Sequence, residues 1–472
     1  MSDSKDSKVS KSSPVAFASG KLAESILCNT IHILALPIYS IGLSIDPWLI
    51  GLAISVPRLW DGIIDPSIGH WSDNLRSRFG RRKPLMVAGI ILSGLLYYIL
   101  WSPPQGLGST AIFLYFLLAS MLFYTSAGVF LVPYYALGNE LTLDANIRVK
   151  IMSYCSAFMG VAGLFTPWAY NLCFSPYLGS NEIEGVKVVG LLGGSLIIIT
   201  GMLPCVFCHE RFSAQSQPKF HFMNSLRAAV QNKPLLIMSG VFLSTIFGIL
   251  LVAPMAFYVG TYYIFGGDKA AMSKLYGLLG SSWALTTIIS SPILYWLIKK
   301  FDKKIVLIGS LIIAIIGQGL QWITFTPKMP YLSILSFVLT SPGIAALNIV
   351  VYSWLADICD HDEYTTGLRR EGIFSAMYSL ITKSGVAMAT FLSGILISIA
   401  GVDSSSTTVQ SPETIFKLRL LFCTVPIVII LVSIILIITF PLNKKIMLEI
   451  RSTLEQRSKK NEFVQELVQK DI

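Results

Sequence analysis

Long runs of apolar residues, separated by short polar segments, follow one another along almost the whole chain. A helix of about 20 such residues crosses a bilayer core about 30 Å thick, and the runs reach that length. Backbone groups in lipid must be hydrogen-bonded within their own segment, and the runs lack the alternation of barrel strands, so the pattern predicts α-helices. We predict an all-α integral membrane protein with twelve spans, at residues 17–43, 46–70, 84–101, 110–137, 151–172, 187–208, 234–264, 274–298, 304–325, 331–356, 371–400 and 414–440.

The composition agrees with a membrane protein and explains the positive charge. Of the 472 residues, 53% are hydrophobic and 13% are charged, which is more apolar surface than one soluble core can bury. Lys and Arg concentrate in the loops that follow even-numbered spans, so these loops and both termini are predicted to be cytoplasmic, and the chain is predicted to lie in the cytoplasmic membrane. This topology accounts for the net charge of +10, and no nucleic-acid partner is expected.

A polar interval in the middle of the chain divides the spans into six and six. The segments Arg78–Gly89 and Lys300–Gly309, which follow the second and eighth spans, resemble each other, as two pseudo-symmetric six-helix bundles with a site between them would require. Two independent basic turns are the alternative explanation. The predicted organisation is a tail at 1–16, a bundle at 17–208, a linker at 209–233, a bundle at 234–440 and a tail at 441–472.

Two acids stand four residues apart inside the second span. Asp61 and Asp65 belong to the sequence Arg58-Leu-Trp-Asp-Gly-Ile-Ile-Asp-Pro66 and share one helix face, with Cβ atoms about 6 Å apart. Ionised groups at this depth cost several kcal/mol unless they are paired or bind an ion. We predict that the two carboxylates bind a monovalent cation, either Na⁺, Li⁺ or H⁺. The alternative is that one of them pairs only with Arg58.

Other polar residues in apolar spans are candidates for coupling and substrate binding. Lys383 lies in the eleventh span, far from the loops, and is predicted to pair with the acids and release them when a cation binds. Glu24 in the first span is predicted to accept hydrogen bonds from a ligand, unless it lies at the interface, reached through Lys21. Arg58 is also placed in the predicted substrate site.

The fourth span ends with an aromatic pair next to a proline. Pro133 is expected to kink the helix, and Tyr134 or Tyr135 then offers an aromatic face and a hydroxyl group to a sugar ring. Packing is the alternative role for either ring.

Two charged clusters are predicted to form a gate at the cytoplasmic end, because ion pairs between helix ends hold one conformation closed. Solvated loops are the alternative. The first cluster contains Asp73, Arg76, Arg81 and Arg82, and the second contains Asp357, Asp360, Arg369 and Glu371.

The cysteines and histidines do not predict a cofactor. The seven cysteines lie mainly in the apolar spans, so no disulfide framework is indicated. Cys28 and His32 share a helix face, but no further metal ligand accompanies them, and packing is the preferred interpretation. No cofactor is predicted apart from the coupling cation.

Four segments together resemble the glycoside–pentoside–hexuronide:cation symporter family, the melibiose-permease branch of the major facilitator superfamily. The resemblance spans nearly the whole chain and implies a non-enzymatic two-domain transporter that moves a small glycoside by alternating access, driven by Na⁺, Li⁺ or H⁺. We expect a monomer with a small solute, a cation and the lipid bilayer as its partners. The segments are Arg58–Pro66, Gly69–Lys83, Pro133–Asp144 and Ala356–Gly372.

The resemblance also implies roles for single residues. Asp61 and Asp65 match the acids that bind the coupling cation, and Lys383 matches the lysine near that site. With a one-residue gap, Glu24 matches the acid that binds sugar hydroxyls, and Tyr135 matches an aromatic residue that stacks on the sugar.

Two departures from the family pattern affect the expected substrate. Leu131 stands where the melibiose permeases have an aspartate that contacts both sugar and cation, and Ser156 stands in place of an arginine. Galactoside recognition is therefore not implied. The alternatives are a cation-coupled carrier of lysolipids or other amphiphiles, since one branch of the family resembles such carriers, and a substrate sensor that does not transport.

Overall fold

A computed structural model describes residues 13–141, 145–208, 232–367, 371–403, 410–454 and 456. These residues contain twelve long α-helices and no strand. We number them α1 to α12: Ser13–Ala35, Pro47–Asn74, Lys83–Leu100, Ser109–Glu140, Ala145–Phe165, Glu182–Phe207, Lys233–Val259, Lys269–Lys300, Lys303–Thr324, Ser333–Thr366, Glu371–Ile399 and Pro412–Thr439.

Side-chain caps fix where several helices begin. Asn181 accepts hydrogen bonds from the first backbone N–H groups of α6, and Asp268 and Asp302 do the same for α8 and α9. The Asp268 cap explains why α8 begins at Lys269, earlier than the apolar run that starts near residue 274. At the other end of α10, Gly367 adopts φ +72°, a left-handed conformation that stops the helix.

Ten of the helices in the described residues are long and apolar enough to cross a membrane by length and composition. The exceptions are α2 and α5. In α2 the apolar pattern is interrupted by Arg58, Asp61 and Asp65, and α5 is followed by a break at Thr166–Trp168. The two helices that depart from a purely apolar pattern therefore include the one that carries the predicted cation site.

The helices form an N half, α1–α6, and a C half, α7–α12. We call the end with the α2–α3 turn and the α8–α9 turn the basic end, and the other the closed end. One apolar core fills the N half and continues into the closed-end part of the C half, where it includes Val252, Leu279 and Phe422. A second core is confined to the C half. The halves therefore share a core at the closed end.

A glycine allows α2 and α11 to touch at the closed end. A Cβ atom on Gly394 would lie 2.5 Å from the backbone oxygen of Pro47, so no larger residue fits there without movement. The contact brings the two halves together backbone to backbone.

A short helix at residues 444–454 packs under the C half at the basic end. Asp302 links it to α9, because its Oδ1 accepts from Lys304 N and its Oδ2 accepts from Lys444 N, at 2.9 and 3.1 Å. Residues 1–12, 209–231 and 457–472, which include most of the predicted linker and parts of both tails, lie outside the described residues.

Candidate functional site

The two acids of α2 lie on the face that meets α11. Asp65 Oδ2 accepts a hydrogen bond from Lys383 Nζ, and this ion pair joins the N half to the C half. Asp61 is 8% exposed and has neither an ion pair nor a hydrogen bond with another described residue. The structure therefore brings together the three residues predicted for the cation site and leaves one carboxylate without a close partner.

Two small features of the neighbouring backbone shape this region. A Cβ atom on Gly128 of α4 would lie 3.0 Å from Asp65 Oδ1, so the glycine leaves room for the carboxylate. Pro66 has no N–H, so the carbonyl of Gly62 lacks its usual helical donor. Gly62 lies between Asp61 and Asp65 in the chain, so its carbonyl adds one free oxygen acceptor to this segment. Nothing in the sequence pattern singled out Gly128.

Arg58 makes no salt bridge with either acid among the described residues, although its charge attracts Asp61. Its Nη2 donates to the backbone oxygen of Cys28 at 3.0 Å, and its guanidinium carbon lies 4.4 Å from the centre of the Tyr124 ring. The alternative in which Asp61 or Asp65 pairs only with Arg58 is therefore not the observed arrangement, because Asp65 pairs with Lys383 and no salt bridge joins Arg58 to Asp61.

Glu24 forms a cluster with a lysine on its own helix and an aromatic residue of α4. Its Oε2 lies 2.6 Å from Lys21 Nζ, and both side chains are 17% exposed. Lys21 Nζ in turn lies 4.8 Å from the ring centre of Tyr135, which is 44% exposed. Glu24 stands about three turns into α1.

Tyr134 has a packing role, in contrast to its prediction as a substrate residue. Its ring is fully buried and stacks on Phe17 with centroids 4.6 Å apart, and its hydroxyl donates to the Phe17 backbone oxygen at 2.8 Å. Adjacent helix residues point about 100° apart, so Tyr135 is the exposed ring of the pair.

The predicted gate residues of the N half lie around the α2–α3 turn. Arg82 is buried, and its Nη2 lies 3.3 Å from Asp73 Oδ1. Arg76 is exposed and Arg81 is half-buried. This part of the cluster therefore makes an ion pair within the N half.

The acids in the last turns of α10 pair with α9 and with the helix at residues 444–454. Asp357 is 2% exposed and binds Lys303 at 2.5 Å and Arg451 at 2.9 Å, while Asp360 binds Arg451 at 3.1 Å. Sequence reasoning assigned no role to the terminal helix that supplies Arg451. Arg369 lies outside the described residues, and so does the side chain of Glu371.

A second ion pair joins the halves at the closed end. Lys269 Nζ lies 2.7 Å from Glu182 Oε1 and also donates to the Ile41 backbone oxygen at 3.3 Å. Tyr170 donates to Glu182 Oε2 at 3.0 Å. Both residues of this pair stood at the edges of apolar runs, and their contact had no signal in the sequence.

Two hydrogen bonds extend the contact between α8 and the segment after α5. Trp168 Nε1 donates to Ser281 Oγ at 2.8 Å, and Asn171 Nδ2 donates to Ser273 Oγ at 3.0 Å. Among the described residues, the other hydrogen bonds between the two halves are those of Lys269, of Ser281 with Leu164, and of Lys383 with Asp65. Most of these hydrogen bonds lie at the closed end and hold the two halves together there.

A cavity of about 510 Å³ lies between the halves, beside the closed end. Its N-half wall includes Ser25, Asn29 and His32 of α1, and its C-half wall includes Gln318 and Gln321 of α9. His32 thus faces a cavity, and the described residues contain no group of three or more His, Cys, Asp or Glu that could hold a metal.

An apolar groove of about 790 Å³ lies between α7, α11 and α12. Its walls include Leu243, Phe247, Leu380, Met388 and Ile429. Ser384, the neighbour of Lys383, also lines it, so the groove runs beside the helix that carries the lysine of the ion pair.

Comparison with known sequences assigns the chain to a group of transporters. The family described as MFS/sugar transport protein matches residues 16–444. The uncharacterized symporter YnaJ of Bacillus subtilis is 26% identical, covering 96% of each chain. The putative glycoside/cation symporter YagG of Escherichia coli is 25% identical, covering 81% of each. The sodium-dependent lysophosphatidylcholine symporter 1 of Mus musculus is 22% identical, covering 85% of this chain and 80% of the mouse protein.

Comparison with solved structures identifies the fold. A bacterial homolog of the human lysosomal transporter Spinster, in an inward-facing and unoccupied conformation, superposes with a TM-score of 0.63. It is 14% identical, and the match covers 96% of this chain and 99% of that protein. The two six-helix halves are thus those of the major facilitator fold.

Proposed function

Because this chain belongs to the MFS/sugar transport protein family, we propose that it carries a sugar or glycoside across the membrane together with Na⁺, Li⁺ or H⁺. The chain is a multi-pass membrane transporter and not an enzyme. The proposal concerns the nature of the solute, the cation and the residues that couple them.

The observation that carries the proposal is the ion pair of Asp65 and Lys383 beside the unpaired Asp61. Two carboxylates one turn apart repel, and a small cation between them relieves that repulsion. The cation competes with Lys383 for Asp65 and so loosens the contact between the halves. Binding of the cation and movement of the halves are then linked, and any solute that favours the same state raises cation affinity by the same factor.

The N half offers groups that suit a sugar. Glu24 supplies carboxylate oxygens that accept hydrogen bonds from hydroxyl groups, and the exposed face of Tyr135 suits the apolar face of a sugar ring. Lys21 holds these two side chains next to each other. Arg58 was predicted to bind substrate, and we now assign it a positioning role, because it links α2 to the backbone of α1 near this cluster.

We assign the basic end to the cytoplasm, because Lys and Arg are enriched in cytoplasmic loops. Both termini are then cytoplasmic, and the protein lies in the cytoplasmic membrane. The hydrogen-bonded closed end then faces outward, and we infer that the arrangement belongs to the inward-facing part of an alternating-access cycle.

Uptake by vesicles tests the cation site. We expect Asp61→Cys and Asp65→Cys to lose most cation-stimulated sugar uptake, an effect of about 5- to 150-fold if the full coupling is lost. Asp46→Cys is the matched control, because Asp46 is an exposed carboxylate at the start of the same helix. Undiminished stimulation in both Asp61→Cys and Asp65→Cys would refute the assignment.

A lysolipid or another amphiphile is the second candidate solute. The apolar groove beside α11 favours it, because an acyl chain needs such a surface, and the mouse relative is named as a lysophosphatidylcholine symporter. Measuring uptake of labelled lysophosphatidylcholine and of labelled methyl glycosides in the same vesicles separates the two. Binding of either solute without net flux would instead indicate a sensor.

A further inference from the structure

Two glutamine side chains of α9 line the cavity of about 510 Å³, and the carbonyl oxygen of each accepts no hydrogen bond. Gln318 and Gln321 are each 3% exposed, and Oε1 of each has no partner among the described residues. Because they are three residues apart on one helix, both project from the same face. Buried amides are normally hydrogen-bonded, and rotation of either amide by 180° exchanges its nitrogen and oxygen and turns the oxygen towards the cavity. Two unsatisfied amides in one wall therefore suit a partner that enters the cavity.

The helix that carries them cannot easily move away from the cavity. Gly317 packs against α10, where an added Cβ atom would lie 2.7 Å from Thr340 Oγ1. One turn beyond Gln321, Thr324 Oγ1 lies 2.6 Å from Ser336 Oγ of α10. The nearby hydroxyl of Thr340 already donates to the Ser336 backbone oxygen at 2.8 Å. The two glutamine carbonyls are therefore the acceptors left without donors on this wall.

The rest of the lining defines what can enter. On the opposite wall, α1 contributes Ser25, Asn29 and His32, and the aromatic side chains include Tyr276 and Trp283. No Asp, Glu, Lys or Arg lines the cavity among the described residues. A charged group would find no counter-charge here, whereas an uncharged ligand with hydroxyl donors and apolar faces would match both kinds of surface.

We propose that Gln318 and Gln321 form a subsite that binds adjacent hydroxyl groups of an uncharged, sugar-like solute on the C-half wall of the cavity. This inference rests on the proposed function. Each amide presents an acceptor and a donor side by side, which matches two neighbouring hydroxyls of a ring. A solute held by these amides and by α1 contacts both halves at once, so its binding responds to their relative movement.

The test measures sugar binding to the purified full-length protein by thermal stability in Na⁺, using methyl glycosides of glucose, galactose and xylose. We expect Gln318→Met and Gln321→Met to weaken binding of the preferred glycoside about ten-fold each, because each loses one or more buried hydrogen bonds. The stabilisation by Na⁺ alone should stay unchanged. Gln105→Ala is the control, since Gln105 is exposed in a loop.

Monodeoxy versions of the preferred glycoside sharpen the test. At least one missing hydroxyl should weaken binding to the wild type and have no further effect in Gln321→Met, as expected for a contact already lost. If a Met variant folds poorly, Gln→Asn at the same position retracts the amide and should give the same loss.

The outcomes separate the two proposals. Equal glycoside affinity in the wild type and both Met variants would overturn the subsite and mean that the glutamines bind only water. No stabilisation of the wild type by any of the three glycosides would overturn sugar transport itself and the subsite with it.

Discussion

The ion pair at the closed end and the ion pair in the interior both join the two halves, but their surroundings differ. At the closed end, Lys269 binds Glu182 and the Ile41 carbonyl, and Tyr170 occupies the other carboxylate oxygen of Glu182. Both charged groups are therefore satisfied by protein atoms alone. This ion pair therefore has no unsatisfied group that would favour an exchange of partners.

In the interior, the pair of Asp65 and Lys383 has a second acid beside it. Asp61 lies one turn away, nearly buried and without an ion pair among the described residues, and the charge of Arg58 attracts it without a hydrogen bond. An ion pair whose two charged groups are fully satisfied holds the halves together, whereas an ion pair with a second acid beside it can exchange its cation. Three substitutions test this difference.

The largest effect is expected from Lys383→Met, which removes the internal cation of the interior pair. Two neighbouring acids then lack a partner, so Na⁺ affinity should rise by about ten-fold, and the mutual enhancement of sugar and Na⁺ binding should fall. Titrating Na⁺ with and without the glycoside measures both quantities. Lys417→Met is the control, because Lys417 pairs with Glu413 on the surface. An unchanged Na⁺ affinity would contradict the exchange.

An intermediate effect is expected from Lys269→Met, which removes the cation of the closed-end pair. The closed end should open more often because a partly buried Glu182 is left without a cation. Cys173 is 1% exposed at that end, and its reaction with a membrane-impermeant maleimide should become about five-fold faster, at the lower end of the usual scale of such couplings.

Lys274→Met provides the comparison for that experiment, since Lys274 is an exposed lysine of the same helix. Equal labelling of Cys173 in both variants would show that the ion pair does not fasten this end.

The smallest effect is expected from Gly128→Ala. The added methyl group would lie 3.0 Å from Asp65 Oδ1 and should shift the carboxylate by a few tenths of an ångström, lowering Na⁺ affinity by about three-fold. Gly108→Ala has open space around its Cβ position and serves as the reference. If both alanine variants bind Na⁺ equally well, the space beside Asp65 is not limiting.

The sequence was informative where a charged residue stands within an apolar run. Charged residues in apolar runs, such as Asp61, Asp65 and Lys383, are conspicuous because their burial is costly, and the structure brings the last two into contact. The long apolar runs also predicted the helical fold, which the comparisons confirm. Helix ends were less predictable, because they depend on caps such as Asp268.

Features that depend on the relative position of distant helices had no sequence signal. Gln318 and Gln321 look like ordinary polar residues in a moderately apolar helix until α9 is placed beside the cavity. The contact of Lys269 with Glu182 joins positions far apart in the chain. Tyr134 and Tyr135 could not be told apart because neighbours on one helix face different surroundings only after packing.

Asp302 stabilises the starts of two helices at once, α9 and the helix at residues 444–454. A fluorescent protein fused directly after α12 would therefore delete more than a tail. It would remove Lys444 and Arg451 and leave the buried Asp357 with Lys303 as its described ion-pair partner. Fusions that begin after residue 456 keep the helix at residues 444–454 and its ion pairs, and they are the better choice for imaging or purification.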